Sequence, residues 1–300
     1  MKRGTNLSDR PDLVKRVSPV GFEILKSLAE YRYLTTNQFL DLGIAKDRGH
    51  LGKVLASFLS TRKHGDRIER KPREIGELDF GVKVGRGKLP RMYFLTKRGA
   101  DLLEQLDPSS NEISYPPRVV QFAPDYEHRV RTVDFHISLS KWARNNRQDL
   151  VWFRNYFDWW PATRQARQHP VTRIRLLHKN IIPDAQFKLR SEDGIERLFC
   201  FEMANGMDTS RVIQQMREYC RGLDQGAINE ALETTKAVRI IYVFEHDRLL
   251  ELVQDRSRRD PWLQKYLPHF FLKTIDDIGF GNLRIGWHQL AKNTKKQSLF

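Results

Sequence analysis

The chain has 300 residues, long enough for two domains of ordinary size. Its 52 Lys and Arg outnumber its 37 Asp and Glu, for a formal net charge of +15, and 40% hydrophobic with 30% charged residues describe a globular, soluble protein. No apolar run approaches the roughly 20 residues that span a bilayer. The start, Met1-Lys2-Arg3-Gly4-Thr5, lacks the apolar core of a signal peptide. Two cysteines, Cys200 and Cys220, without CxxC spacing, exclude a zinc ribbon and a disulfide framework. A cytoplasmic location with no membrane partner is therefore expected, and the charge favours an anionic partner, in the first place nucleic acid.

Phe22, Ile24, Leu25, Leu28 and Tyr31 recur at helical spacing. A second helix is expected from Thr35, where Thr35 and Gln38 form a capping box and Leu34 and Phe39 a hydrophobic staple; Gly43 is its stop. A third helix from about Asp47 puts Leu51, Val54, Leu55, Phe58 and Leu59 on one side and Arg48, His50, Lys53 and Ser57 on the other. A Gly- and charge-rich segment, 68–90, precedes a short strand at Arg91-Met92-Tyr93-Phe94-Leu95, and Thr96 caps a closing helix with Leu102, Leu103 and Leu106. Three short helices, a basic hairpin and a closing helix describe a winged helix-turn-helix over residues 1–106. The phrase Tyr93-Phe94-Leu95-Thr96-Lys97-Arg98-Gly99 resembles the end of the wing in many winged-helix regulators. Residues 1–105 carry 22 Lys and Arg against 13 Asp and Glu, an excess of nine. On this reading Arg48, His50 and Lys53 of the third helix, with Lys83, Arg86, Lys88 and Arg91 of the wing, contact double-stranded DNA. A protein-binding platform with solvated charges is the plainer reading of the same pattern.

Prolines and small polar residues between 107 and 120 (Asp107-Pro108-Ser109-Ser110, then Tyr115-Pro116-Pro117) mark a linker. The second domain, 121–300, opens on a helix from about Pro124 to Asn145. A strand follows at Trp152–Phe157. Two further strands, about 181–190 and 197–204, are separated by the turn signal Ser191-Glu192-Asp193-Gly194. Pairing them as an antiparallel hairpin brings Asp184 and Glu202 together. A helix over about 208–223 aligns Arg211, Gln215 and Tyr219 at i, i+4 and i+8. Val238–Phe244 is a buried strand, 249–255 a helix and Phe270–Ile275 a strand, so the fold class is α/β (α+β) around a mixed sheet. Lys292, Lys295 and Lys296 make a basic tail.

Asp184 and Glu202 are the natural ligands for Mg²⁺ or Mn²⁺, which would relieve charge in phosphodiester cleavage, with Glu127 on the preceding helix as a third candidate. Each acid taken alone is more often a turn-adjacent or solvent-facing charge; the ordered set is what carries the reading. It resembles the PD-(D/E)xK nuclease superfamily, with its restriction-endonuclease-like fold, and Gln215 and Tyr219 resemble the QxxxY pattern of the RecB-like branch. The position that superfamily gives to lysine is Ala204. Lys188, two pleats beyond Asp184 on the same side of the strand, is a candidate replacement.

Glu127-His128-Arg129, Ile182-Pro183-Asp184 and Phe201-Glu202-Met203-Ala204-Asn205-Gly206-Met207-Asp208 together resemble the replication-relaxation family, which includes MobC-type plasmid mobilisation relaxases. The family's strand motif looks like Glu-x-Asp-x-Gly-Thr; Glu202 and Gly206 match it, while Ala204 and Met207 depart. The resemblance implies metal-dependent, site-specific nicking of DNA at a transfer or replication origin, or accessory work beside other relaxosome proteins, with a homodimer as a further expectation. Two functions stay open on the sequence: a nickase, and a non-catalytic DNA-binding regulator that keeps the nuclease fold as a scaffold.

Overall fold

The computed structural model describes residues 17–59, 63–64, 67–68, 73–83, 85, 87–109, 113–116, 125–160, 169–278, 282–291 and 298–299. Arg86, half of the expected linker, and Lys292, Lys295 and Lys296 of the tail lie outside these residues. The chain is a mixed α/β protein that divides into two compact units, Met1–Tyr126 and Glu127–Phe300.

In the first unit the order is α1 (Pro19–Tyr31), β1 (Tyr33–Thr35), α2 (Thr36–Asp41), α3 (Arg48–Leu59), β2 (Ile75–Leu78), β3 (Met92–Leu95) and α4 (Lys97–Leu106). Ser18 caps α1 with its side chain, and Pro19 follows at the first helical position, where proline's missing N–H costs nothing. The Thr35–Gln38 capping box forms as the sequence predicts, and Gly43 turns the chain away with φ 76°. The sheet order is β1-β3-β2, all antiparallel. The three-residue β1 was not expected; it is too short for a period-2 signal, and all three of its residues are buried. Ile24, Leu25, Leu28, Phe39, Leu51 and Leu55 fill the core beneath it.

The Thr96–Gly99 phrase has a local cause. The Thr96 hydroxyl accepts from the Gly99 amide at 3.2 Å and donates to the carbonyls of Arg73 and Glu74. A Cβ on Gly99 would meet the Glu74 carbonyl oxygen at 2.1 Å, so only glycine lets α4 start this close to the strand.

The second unit holds α5 (Tyr126–Asn145), β4 (Asp149–Asn155), β5 (Ala185–Arg190), β6 (Glu196–Ala204), α6 (Thr209–Asp224), α7 (Ala227–Ala231), β7 (Arg239–Phe244), α8 (Asp247–Arg259), a 3-10 turn (Gln264–His269), β8 (Phe270–Thr274) and β9 (His288–Gln289). The six strands form one mixed sheet in the order β9-β8-β7-β6-β5-β4. β6, β7 and β8 run parallel, and the other pairings are antiparallel. Side chains alternate across the sheet as the pleat requires. Phe187, Phe199, Phe201 and Val243 pack with Phe135, Leu139 and Trp142 of α5. Cys200, Ile240 and Tyr242 on the other face pack with Val212, Met216, Tyr219, Leu249 and Val253 of α6 and α8. Both cysteines are free and buried in that second layer. Among the described residues no helix is long and apolar enough to cross a membrane.

Candidate functional site

The β5–β6 hairpin sets the site. Its register pairs Ala185 with Phe201, so one step further Asp184 stands opposite Glu202. Both carboxyl groups point to the α6 side of the sheet, within hydrogen-bonding reach of each other. They are 8% and 3% exposed. Tyr219, one turn beyond Gln215 on α6, donates its hydroxyl to Glu202 Oε1 at 2.5 Å, and Gln215 bonds the same carboxyl. The Met203 amide donates to Asp184 Oδ2 at 2.7 Å, which fixes one oxygen of Asp184 against the neighbouring strand.

Burial, and then the adjacent Asp184 carboxylate, push the Glu202 proton affinity well above the ordinary carboxylate range, against the opposing bonds from Tyr219 and Gln215. The same burial raises the Tyr219 phenol, with Glu202 as the next cause. Desolvating a single carboxylate costs several kcal/mol. A well-buried Phe or Leu returns about 1.5–3 kcal/mol. Two acids facing each other in a packed layer are therefore a cost to the fold, and their placement calls for a proton or a cation between them.

His128, on the first turns of α5, brings Nε2 to 2.5 Å from Asp184 Oδ1. Its ring also meets Tyr156 edge-on, at 5.5 Å between centroids, and its Nδ1 lies 3.4 Å from the Asn205 amide nitrogen. His128 retains 22% side-chain exposure and so opens the buried pair towards solvent. Sequence reasoning missed this residue. The signal was Glu127-His128-Arg129, in which the glutamate drew attention although the neighbouring histidine is the residue that reaches the acid.

The remaining candidates fall elsewhere. Lys188 shares the face of Asp184 but lies four residues along β5, about 13 Å away at the strand rise of 3.3 Å per residue, and its ammonium bonds Glu196 at 2.7 Å. Lys188 therefore does not occupy the place of a lysine at position 204. Ala204 itself is 8% exposed and packs in the α6 and α8 layer. Glu127 is half-buried on α5 beside His128. Among the described residues, no three His, Cys, Asp or Glu side chains are placed to hold a metal ion as a ready-made cage. The two acids nonetheless suit Mg²⁺, which commonly takes one or two carboxylates and keeps several waters.

In the first unit, Arg48 donates to Asn37 Oδ1 at 2.7 Å across the α2–α3 turn, and His50 and Lys53 are exposed on α3. Lys83 and Lys88 are exposed on a two-stranded ladder, Val82–Lys83 with Gly87–Lys88. Arg91 is tied to Glu77 and Asp79 at 3.1 and 3.2 Å.

A family model described as replication-relaxation matches residues 25–257, more than three-quarters of the chain. The chain belongs to the replication-relaxation family. Comparisons with curated proteins and with solved structures gave no match. Family membership suggests a role in plasmid or mobile-element replication or mobilisation, and with it an interaction with DNA. The matched span of this replication-relaxation protein includes α3, the acid pair and the Gln215–Tyr219 stripe.

Proposed function

We propose that this replication-relaxation protein is a sequence-specific DNA-binding nickase, related in type to MobC-type mobilisation relaxases. In this reading the first unit is a winged helix-turn-helix that lays α3 in the major groove. Arg48, His50, Lys53, Lys83, Lys88 and Arg91 neutralise phosphates or touch base edges. What supports it is the α1–α2–α3 order beside a β1-β3-β2 sheet, together with the excess of nine positive charges in residues 1–105. The second unit is read as a PD-(D/E)xK-like nuclease.

The observation that carries the catalytic reading is the buried, register-matched pair Asp184 and Glu202. Asp184 and Glu202 would hold Mg²⁺ or Mn²⁺, with His128 beside Asp184 and Glu127 next to His128 on the same helix. Bound there, the ion supplies Lewis-acid relief of charge at the cleaved phosphodiester. Gln215 and Tyr219 hold Glu202 in one orientation. His128 holds Asp184 and takes the place that Ala204 leaves without a lysine. The decisive assay is conversion of supercoiled plasmid carrying the cognate site to open circles. Nicking with Mg²⁺ or Mn²⁺, its loss with EDTA, and its loss in Asp184→Ala are expected. A protein that binds the site but never nicks it with either metal sinks the catalytic half.

A second reading has a specific observation behind it. Ala204 stands in the expected lysine position, and Tyr219 already donates to Glu202, so a shared proton can satisfy the pair without any cation. The protein would then be a DNA-binding regulator or relaxosome accessory using the nuclease fold as a scaffold. Binding of the cognate duplex in EDTA, unchanged by Asp184→Ala, together with no nicking under any metal, is the result that favours it.

A further inference from the structure

We propose that the cleft between α6 and α8 is a binding surface for single-stranded DNA, separate from the acid pair. The cleft has a volume of about 700 Å³, and its lining includes Ser210, Ile213, Arg217, Arg256, Arg259 and Pro261. Three arginines from two helices thus converge on one concave surface.

Their hydrogen bonds leave them differently available. Arg256 Nη1 donates to the Ser210 hydroxyl at 3.1 Å, so this guanidinium rests on a neutral group at the first turn of α6. Arg259 pairs with Asp255 at 2.6 Å, but both side chains are more than half exposed, and such a pair yields readily to a phosphate. Arg217 is fixed by Asp260 Oδ2 at 2.9 Å, and Asp260 is almost wholly buried. The other oxygen of Asp260 accepts from the Trp262 backbone amide at 3.0 Å. One buried carboxylate therefore holds both the Arg217 guanidinium and the Trp262 backbone amide. Trp262 is 61% exposed, next in the chain to the cleft-lining Pro261.

A large aromatic left in water has lost the transfer free energy that burial would give it. An exposed tryptophan one residue beyond a cleft lined by three guanidinium groups makes chemical sense if a flat apolar ligand with an anionic backbone stacks on it. Unpaired bases present that combination, and a duplex hides its base faces inside the stack.

The test is fluorescence anisotropy of a labelled dT₁₂ oligonucleotide with the full chain in EDTA, titrated at several salt concentrations. Trp262→Ala should weaken binding about tenfold, in keeping with the loss of one stacked base, and Trp262→Phe should keep most of the affinity. The pair Arg256→Ala and Arg259→Ala should weaken binding and flatten the salt dependence by about 1.4 in log–log slope, two phosphates at ~0.7 each. Because no metal is present, failure of the nicking assay leaves this measurement intact. Unchanged binding in both the Trp262→Ala and the double-arginine variants overturns the proposal. So does Trp262→Phe falling as far as Trp262→Ala, or a duplex of equal length binding equally well and losing equally in the variants.

Discussion

The two ends of the β5–β6 hairpin carry charged side chains on the same face and arrange them in opposite ways. At the outer end Lys188 and Arg190 meet Glu196 at 2.7 and 3.3 Å, all three side chains partly open to solvent. Lys188, with Arg190 adding to it, holds the Glu196 carboxyl below its ordinary range. At the inner end Asp184 and Glu202 face each other with no lysine or arginine bridging them among the described residues, and Glu202 moves the other way. The outer arrangement follows from cross-strand pairing, in which opposite charges stabilise a sheet and like charges weaken it. The inner arrangement breaks that rule inside a packed layer. A chain that can pair opposite charges properly four residues away gains nothing structural by setting Glu202 against Asp184, which is why the inner end is the place to look for chemistry.

The largest effect that would break or uphold this contrast is on nicking. Asp184→Asn and Glu202→Gln keep the shapes of the side chains and remove their charges. Each should lower metal-dependent nicking by more than the roughly 10–100-fold typical of residues that only support a metal ligand. Metal affinity measured by calorimetry should fall in parallel. Wild-type nicking in both variants would show the inner end to be as structural as the outer one. Next in size is His128→Ala, which leaves both acids in place and removes the group 2.5 Å from Asp184 Oδ1. A loss of about 10–100-fold is expected in plasmid nicking, the range for a positioning partner, with cognate-duplex affinity unchanged.

Much of this contrast could be read in the sequence. Ser191-Glu192-Asp193-Gly194 announced the turn, and from it the opposition of Asp184 and Glu202 followed by counting pleats, because a strand's period of two leaves no freedom of facing. The i, i+4 spacing of Gln215 and Tyr219 likewise fixed a shared helix face, and both reach Glu202. His128 was not legible. Its approach to Asp184 depends on where α5 crosses the sheet, and no periodicity within a helix encodes a crossing. For Lys188 the sequence shows the facing, but neither its distance along the strand nor its pairing with Glu196. β1 and α7 went unseen because three and five residues are too few to show a period.

A smaller effect, in stability, sharpens the comparison from the other side. Glu202 binds its proton more tightly when folded than the ordinary value of 4.5 allows. Between that value and the raised folded one, the folded chain holds a proton that the unfolded chain releases. Stability from this group is thus full below about pH 4.5 and is lost as pH rises. Glu202→Gln, which is neutral at every pH, should raise the melting temperature in EDTA at pH 8, by about 2–4 °C for each kcal/mol relieved, and flatten its decline from pH 5 to pH 8. A lower melting temperature for the variant across that range, by circular dichroism, would mean that the buried carboxylate is compensated by a group other than a proton.

The smallest expected effect belongs to Lys188→Ala. It opens the outer pair, in which Glu196 retains Arg190 as a partner, and exposed pairs of this kind contribute little to stability. Both the melting temperature and the plasmid nicking rate should stay close to wild type. A selective loss of nicking at unchanged melting temperature would give the opposite answer: the Lys188 ammonium would have to leave Glu196 and travel the length of four strand residues to the acid pair when DNA is bound. The hairpin would then work as one connected row of charges rather than as two ends with separate tasks. The double change Lys188→Ala with His128→Ala separates the cases, since two residues serving one role give a combined loss unlike the product of the single losses.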